Sequence, residues 1–159
     1  MMAAILMLAF ATYAYGQPKQ LPGFILPDPD GTKHASSTLV KNGMVLVVTA
    51  PTLHDKGAQE GWDKYLVDTM PKSGPILIFI EDMSVSAWKN IAQKDMKKDW
   101  KPGVPPLLLL DEAGSVRKSL GVGRDATAVL VYDKSGTLVY TDKESPSLAS
   151  AKTIWSKLQ

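Results

Sequence analysis

Met44–Thr49 (MVLVVT) and Pro75–Glu81 (PILIFIE) are continuous apolar runs rich in β-branched residues, without the period-two alternation of a half-exposed strand. Such runs suit strands buried on both faces of a sheet that helices cover. Val104–Leu110 is a third run of this kind and opens with Pro105-Pro106. Between the runs the period changes. Trp62, Leu66 and Met70 recur at four-residue steps and Pro71 closes the pattern, which predicts a helix over 55–70. A second helix is predicted from a cap at Ser84 or Ser86 to about Asp99, with Trp88, Ile91, Ala92, Met96 and Trp100 on its apolar face.

The two ends of this alternating region read as hairpins. Phe24–Lys33 is a short strand, a turn on Asp30-Gly31 and a second short strand. Asp111–Gly114 is a turn before the short amphipathic stretch Val116–Leu120. Ala128–Tyr132, the turn Asp133–Gly136 and Thr137–Thr141 form the second hairpin, and Ser147–Leu158 a closing helix. The order β-α-β-α-β-β-α predicts an α/β fold, a mixed central sheet with helices on both faces. The chain of 159 residues fits one such domain. Ahead of it, residues 1–16 (MMAAILMLAFATYAYG) are uncharged and apolar, with Ala14 and Gly16 small at the positions a signal peptidase reads before Gln17. As a helix this segment reaches about 24 Å, short of a bilayer core of about 30 Å. It is expected to be a signal peptide or an N-terminal membrane anchor, with residues 17–159 as the folded domain.

Composition removes much chemistry. The chain contains no cysteine, which excludes disulfides, zinc–thiolate and iron–sulfur ligation, and thiol nucleophiles. Eighteen basic against sixteen acidic residues, a net charge of +2, is too balanced to imply a nucleic-acid partner. No G-x-S-x-G elbow surrounds any serine, and Gly121-Val-Gly123 lacks the third glycine and the strand-to-helix setting of a dinucleotide fingerprint. His34 and His54 lack a spaced third ligand, so neither a metal site nor a cofactor is expected. The lysine-rich stretch Trp88–Lys101 reads as a solvated face whose tryptophans enter the core; contact with anionic lipid or an acidic partner is the alternative. Glu81-Asp82 and the pair Asp28 and Asp30 read as strand-end and turn chemistry.

Three motifs carry a family resemblance. Pro22–Gly31 (PGFILPDPDG) resembles the P-x-F-x-L-x-D-x-D-G opening of exported thioredoxin-like and peroxiredoxin-like proteins. Val104–Gly114 is similar to the strand and turn before that family's last segment. Gly121–Gly136 resembles its G-V-x-x-x-P-T pattern leading into an apolar strand and a D-x-x-G turn. The resemblance runs from Pro22 to Leu158 and is best matched by the cysteine-less, periplasmic YtfJ-like branch. It implies a thioredoxin-like fold, and it places two departures. His54-Asp55-Lys56-Gly57 stands about where the family carries its redox tetrapeptide, and Ala126 stands for the cis-proline that faces it, with Thr127 kept. A cis bond before alanine is unfavourable by about 2.5–4 kcal/mol, so a trans bond is expected there.

The binding candidates left are His54, Asp55 and Lys56 at a helix start, where free amides and the positive dipole end favour an anion, with Ala126 and Thr127 across the cleft. A structural account competes: Asp55 caps the helix and His54 faces solvent. The expected function is a non-catalytic, exported thioredoxin-like protein. It acts through protein–protein contacts as an accessory subunit of a periplasmic or membrane-associated complex. The alternative is a small-ligand-binding protein or non-thiol enzyme using the cleft around His54 and Thr127.

Overall fold

A computed structural model of the chain describes residues 16–50, 56–85, 87, 89–124, 126–143 and 145–159. The apolar segment therefore lies outside the described residues except for Gly16, as do His54 and Asp55. Three-residue strands β1 (Ile25–Pro27) and β2 (Lys33–Ala35) pair antiparallel, and α1 (Ser36–Leu39) follows, running into a 3-10 turn. Then come β3 (Met44–Thr49), α2 (Lys56–Asp68), β4 (Ile76–Asp82), α3 (Lys89–Asp99), β5 (Leu107–Asp111), α4 (Ser115–Ser119), β6 (Ala128–Tyr132), β7 (Leu138–Asp142) and α5 (Leu148–Ser156).

The five-stranded sheet has the order β5-β4-β3-β6-β7. β3, β4 and β5 run parallel, and β6 and β7 pair antiparallel with their neighbours. Every residue of β3 and of β6 is buried, which accounts for their unbroken apolar sequences. Alternate side chains divide the core. Met44, Leu46, Val48, Ile78, Ile80 and Leu130 face the β1–β2 hairpin and α4, through Phe24, Leu26, Val116 and Leu120. Val45, Val47, Leu77, Phe79, Val129 and Val131 face α2 and α5, through Trp62, Leu66, Ile154 and Trp155. Each such aliphatic side chain contributes about 1.5–3 kcal/mol on burial. The Trp155 indole N–H donates to the Leu66 carbonyl at 3.1 Å, tying α5 to α2.

Three turns share one device, an aspartate followed by glycine three residues later. Gly31, Gly114 and Gly136 have positive φ of 89°, 67° and 77°, a region glycine enters without the clash a Cβ brings. Their N–H groups donate to the carbonyls of Asp28, Asp111 and Asp133 at 2.9, 3.3 and 2.9 Å. The aspartate carboxylates then take amides further along the turn.

The second helix departs from expectation. It begins at Lys89, after a 3-10 turn over Met83–Val85 in which Asp82 Oδ1 accepts the Ser84 amide at 2.9 Å. Ser86 and Trp88 lie outside the described residues. No residue of α3 is fully buried, and Ile91 is 54% exposed. Its stripe of Ile91, Ala92 and Met96 faces an open groove instead of entering the core. Trp100, just past its end, is half-buried.

Candidate functional site

The carboxyl ends of the three parallel strands place Thr49, Glu81, Asp82 and Asp111 along one edge of the sheet. Register sets Thr49 beside Glu81 and Asp82 beside Asp111. Strand alternation then sorts these residues into two polar groups on opposite faces.

On the α2 face, Glu81 is fully buried and its Oε1 accepts a hydrogen bond from the Gln59 side chain of α2. A buried carboxylate is unfavourable without such donors. Thr49, also fully buried, receives a 3.4 Å contact from the Thr127 hydroxyl. Glu81 is thus an internal group of the site, not strand-end turn chemistry, while Asp82 and Asp28 do serve turns.

On the other face, Arg117 of α4 is 2% exposed. Its guanidinium donates to the Gly123 carbonyl from Nε at 2.9 Å and Nη2 at 2.5 Å. Nη2 also donates to the Ala126 carbonyl, and Nε lies 3.8 Å from Asp82 Oδ2. Asp111 prepares this arrangement: its carboxylate accepts the Ser115, Val116 and Arg117 amides at 3.2, 2.8 and 2.9 Å, satisfying the first turn of α4. Arg117 therefore pins Gly123 and Ala126 from within. Its sequence signal was slight, a basic residue in an amphipathic stretch opposite two strand-end aspartates.

Of the residues expected to bind, Ala126 and Thr127 lie together just ahead of β6, half-buried. Lys56 is exposed at the first residue of α2, with its ammonium 3.7 Å from Glu60. His54 and Asp55 lie outside the described residues, as does Asp125, whose bond to Ala126 was expected to be trans. His34 is committed elsewhere: its Nε2 is 2.9 Å from Asp28 Oδ2. Burial pushes the Asp28 carboxyl up, but His34 and the amides of Thr32 and Asp30 outweigh it and hold the carboxyl below its usual range. Among the described residues no group of three or more histidine, aspartate or glutamate side chains is placed to hold a metal ion. No helix among them is long and apolar enough to cross a membrane.

No protein-family model matches the chain, and no curated protein matches it. Solved structures do. A thiol:disulfide interchange protein of the thioredoxin family from Chlorobium tepidum superposes with a TM-score of 0.66 at 14% identity, over 91% of this chain and 99% of that one. An uncharacterized conserved protein from Geobacillus kaustophilus gives 0.65 at 20% identity, covering 97% and 88%. A secreted Mycobacterium tuberculosis disulfide oxidoreductase gives 0.59 at 13% identity, covering 85% and 93%. The protein has a thioredoxin-like fold. Within it this chain has no cysteine, and so no thiol–disulfide or peroxidatic thiol chemistry of its own.

Proposed function

We propose that this protein is a non-catalytic thioredoxin-like domain, exported to the bacterial periplasm, that works through protein–protein contact as an accessory subunit of a periplasmic or membrane-associated complex. The observation that carries this reading is a thioredoxin-like scaffold with zero cysteines. A fold does not fix a function by itself, and here the positions that resemble a redox centre hold residues unable to exchange disulfides. The apolar stripe of α3, left uncovered along an open groove with Ile91 54% exposed, adds support, since a protein surface seldom keeps such a stripe without a use. The apolar residues 1–16 are taken as a signal peptide or an anchor; intact mass of the mature protein separates the two, a chain starting at Gln17 meaning cleavage. Gentle purification from the native membrane tests the main reading. Co-purification of a defined partner is expected, and a strictly monomeric protein without one would overturn it.

A second reading has one observation in its favour. Buried Glu81 and Thr49, with half-buried Thr127 beside Thr49, form a polar group at the strand ends, where α/β sheets bind ligands. A small-molecule site around His54 and Thr127 would show as ligand-induced thermal shifts that His54→Ala abolishes; identical shifts in that variant remove its central residue.

A further inference from the structure

We propose that the groove between α2 and α3 receives a short, extended segment of a partner protein that alternates basic and apolar residues. This rests on the protein-contact reading above and names the partner's chemistry. The groove has a volume of about 900 Å³, with Phe79 and Leu108 of the sheet as its floor. Ile91 and Val104 on its walls are each 54% exposed, large apolar surface that neither helix covers. A segment with apolar side chains would bury them.

The charges at the mouth select the sign of the segment. Asp63 on α2 and Asp99 on α3 stand on opposing walls, and neither has an ion-pair partner among the described residues. Glu60 and Asp95, also on the walls, pair with Lys56 and Lys98 at 3.7 and 2.9 Å, leaving Lys101 as the remaining cation at the rim among the described residues. The mouth is thus acidic on a chain whose net charge is +2. Burial, with Asp68 nearby, pushes the Asp63 carboxyl up from its ordinary value, a carboxylate that an incoming cation would favour. Two lysines of α3 are engaged elsewhere, Lys97 with Asp30 at 3.0 Å and Lys98 with Asp95, with Asp99 nearby, while Lys89 and Lys94 do not line the groove.

The backbone form of the segment follows from Trp100. Its indole N–H is buried and has no hydrogen-bond partner among the described residues. Reaching it requires the indole to turn toward the groove on docking; an extended peptide then offers it unpaired carbonyls, whereas a helix has already used its own.

The probe is a capped peptide of alternating lysine and leucine with a central proline, beside its glutamate-for-lysine counterpart. Both are titrated into the chain and followed by amide NMR. The lysine peptide is expected to shift α2 and α3 amides and the Trp100 indole resonance, and the glutamate peptide to leave them in place. The double substitution Asp63→Asn with Asp99→Asn is expected to weaken binding roughly tenfold. Equal binding of both peptides, shifts that map elsewhere, or unchanged affinity in the double variant would each overturn the proposal. So would attachment to phosphatidylglycerol vesicles through the lysine face without peptide binding.

Photo-crosslinkers in the native cell separate this proposal from the reading beneath it. A basic, apolar partner segment captured from Ile91 or Val104 supports both. Capture from Val139 on β7 alone overturns the groove and keeps the protein-contact reading. No capture from any of these positions counts against both.

Discussion

α4 and α3 both cover the sheet after a parallel strand, yet they are held in opposite ways. α4 has five residues and buries two of them, Val116 and Arg117. α3 has eleven and buries none. The short helix is fixed by polar groups taken out of water: Asp111 holds its amides, and Arg117 reaches past it to the Gly123 and Ala126 carbonyls. The long helix has exposed ion pairs instead, Lys97 with Asp30 and Lys98 with Asp95, a class worth about 0–1 kcal/mol each. Gly123 and Ala126, ahead of Thr127, are therefore held from inside by Arg117. The α3 side is left as surface, where added burial has to come from another molecule.

Breaking the internal network tests that contrast most strongly. Arg117→Leu leaves Asp82, 3% exposed, without its opposite charge, and leaves two loop carbonyls without their donor. The expected loss is about 3–5 kcal/mol, as for other buried pairs cut on one side, read from the urea midpoint. A loss under about 1 kcal/mol would mean that the guanidinium is solvated in solution and the loop is held by something else. Asp111→Ala comes next. It removes the acceptor of three amides at a helix start, two of them buried, and the expected loss is about 2 kcal/mol. An equally large effect from Asp99→Ala on α3 would erase the contrast.

The same contrast explains what could be read from the sequence. β3 and β6 were legible to the residue, because strands buried on both faces need unbroken apolar runs. The two hairpins were legible from Asp30-Gly31 and Asp133–Gly136, since a positive φ at Gly31 and Gly136 is a local demand, although the first turn closes on Asp28 and not Asp30. α3 was legible as a helix but not as an unburied one. Ile91, Ala92 and Met96 have the spacing of a core-facing stripe, and periodicity does not record how far a helix stands from the sheet. α1, four residues without a side-chain cap, left no pattern to find. At the site, the absence of thiols needed only a count. Glu81 and Arg117 were missed because a charged residue at a strand end or in a short helix usually faces water, and only the tertiary fold encloses these two.

Asp28 sits between the two regimes, since its turn is internally bonded while the neighbouring Asp30 takes Lys97 of α3. Asp28→Asn is expected to reduce stability by about 1–2 kcal/mol at neutral pH, within the range for hydrogen bonds to a charged group. The pH dependence has a definite sign. The folded carboxyl ionises below its unfolded value, so its contribution is complete above the ordinary aspartate range near 3.9 and is lost as pH falls through the lower folded value. Urea midpoints of wild type and variant should therefore converge under acid, below about pH 4. A gap that stays constant through that range would assign the loss to turn geometry alone.

The smallest effect is expected at Ile91, and there the size itself is informative. A leucine or isoleucine enclosed in a core loses about 2–5 kcal/mol on truncation to alanine, from lost transfer energy and the cavity left behind. Ile91 is 54% exposed, so little surface returns to water and no cavity forms. Ile91→Ala should change stability by no more than about 0.5 kcal/mol, the range of ordinary surface substitutions. If α3 instead closes onto Phe79 and Leu108 in solution, the same substitution would behave as a core truncation. Its urea midpoint would then fall as far as that of Asp111→Ala, and the groove would be lost as a docking surface. A near-silent effect on stability combined with weaker binding of the lysine peptide would place the energy of Ile91 in contact with a partner, not in the fold.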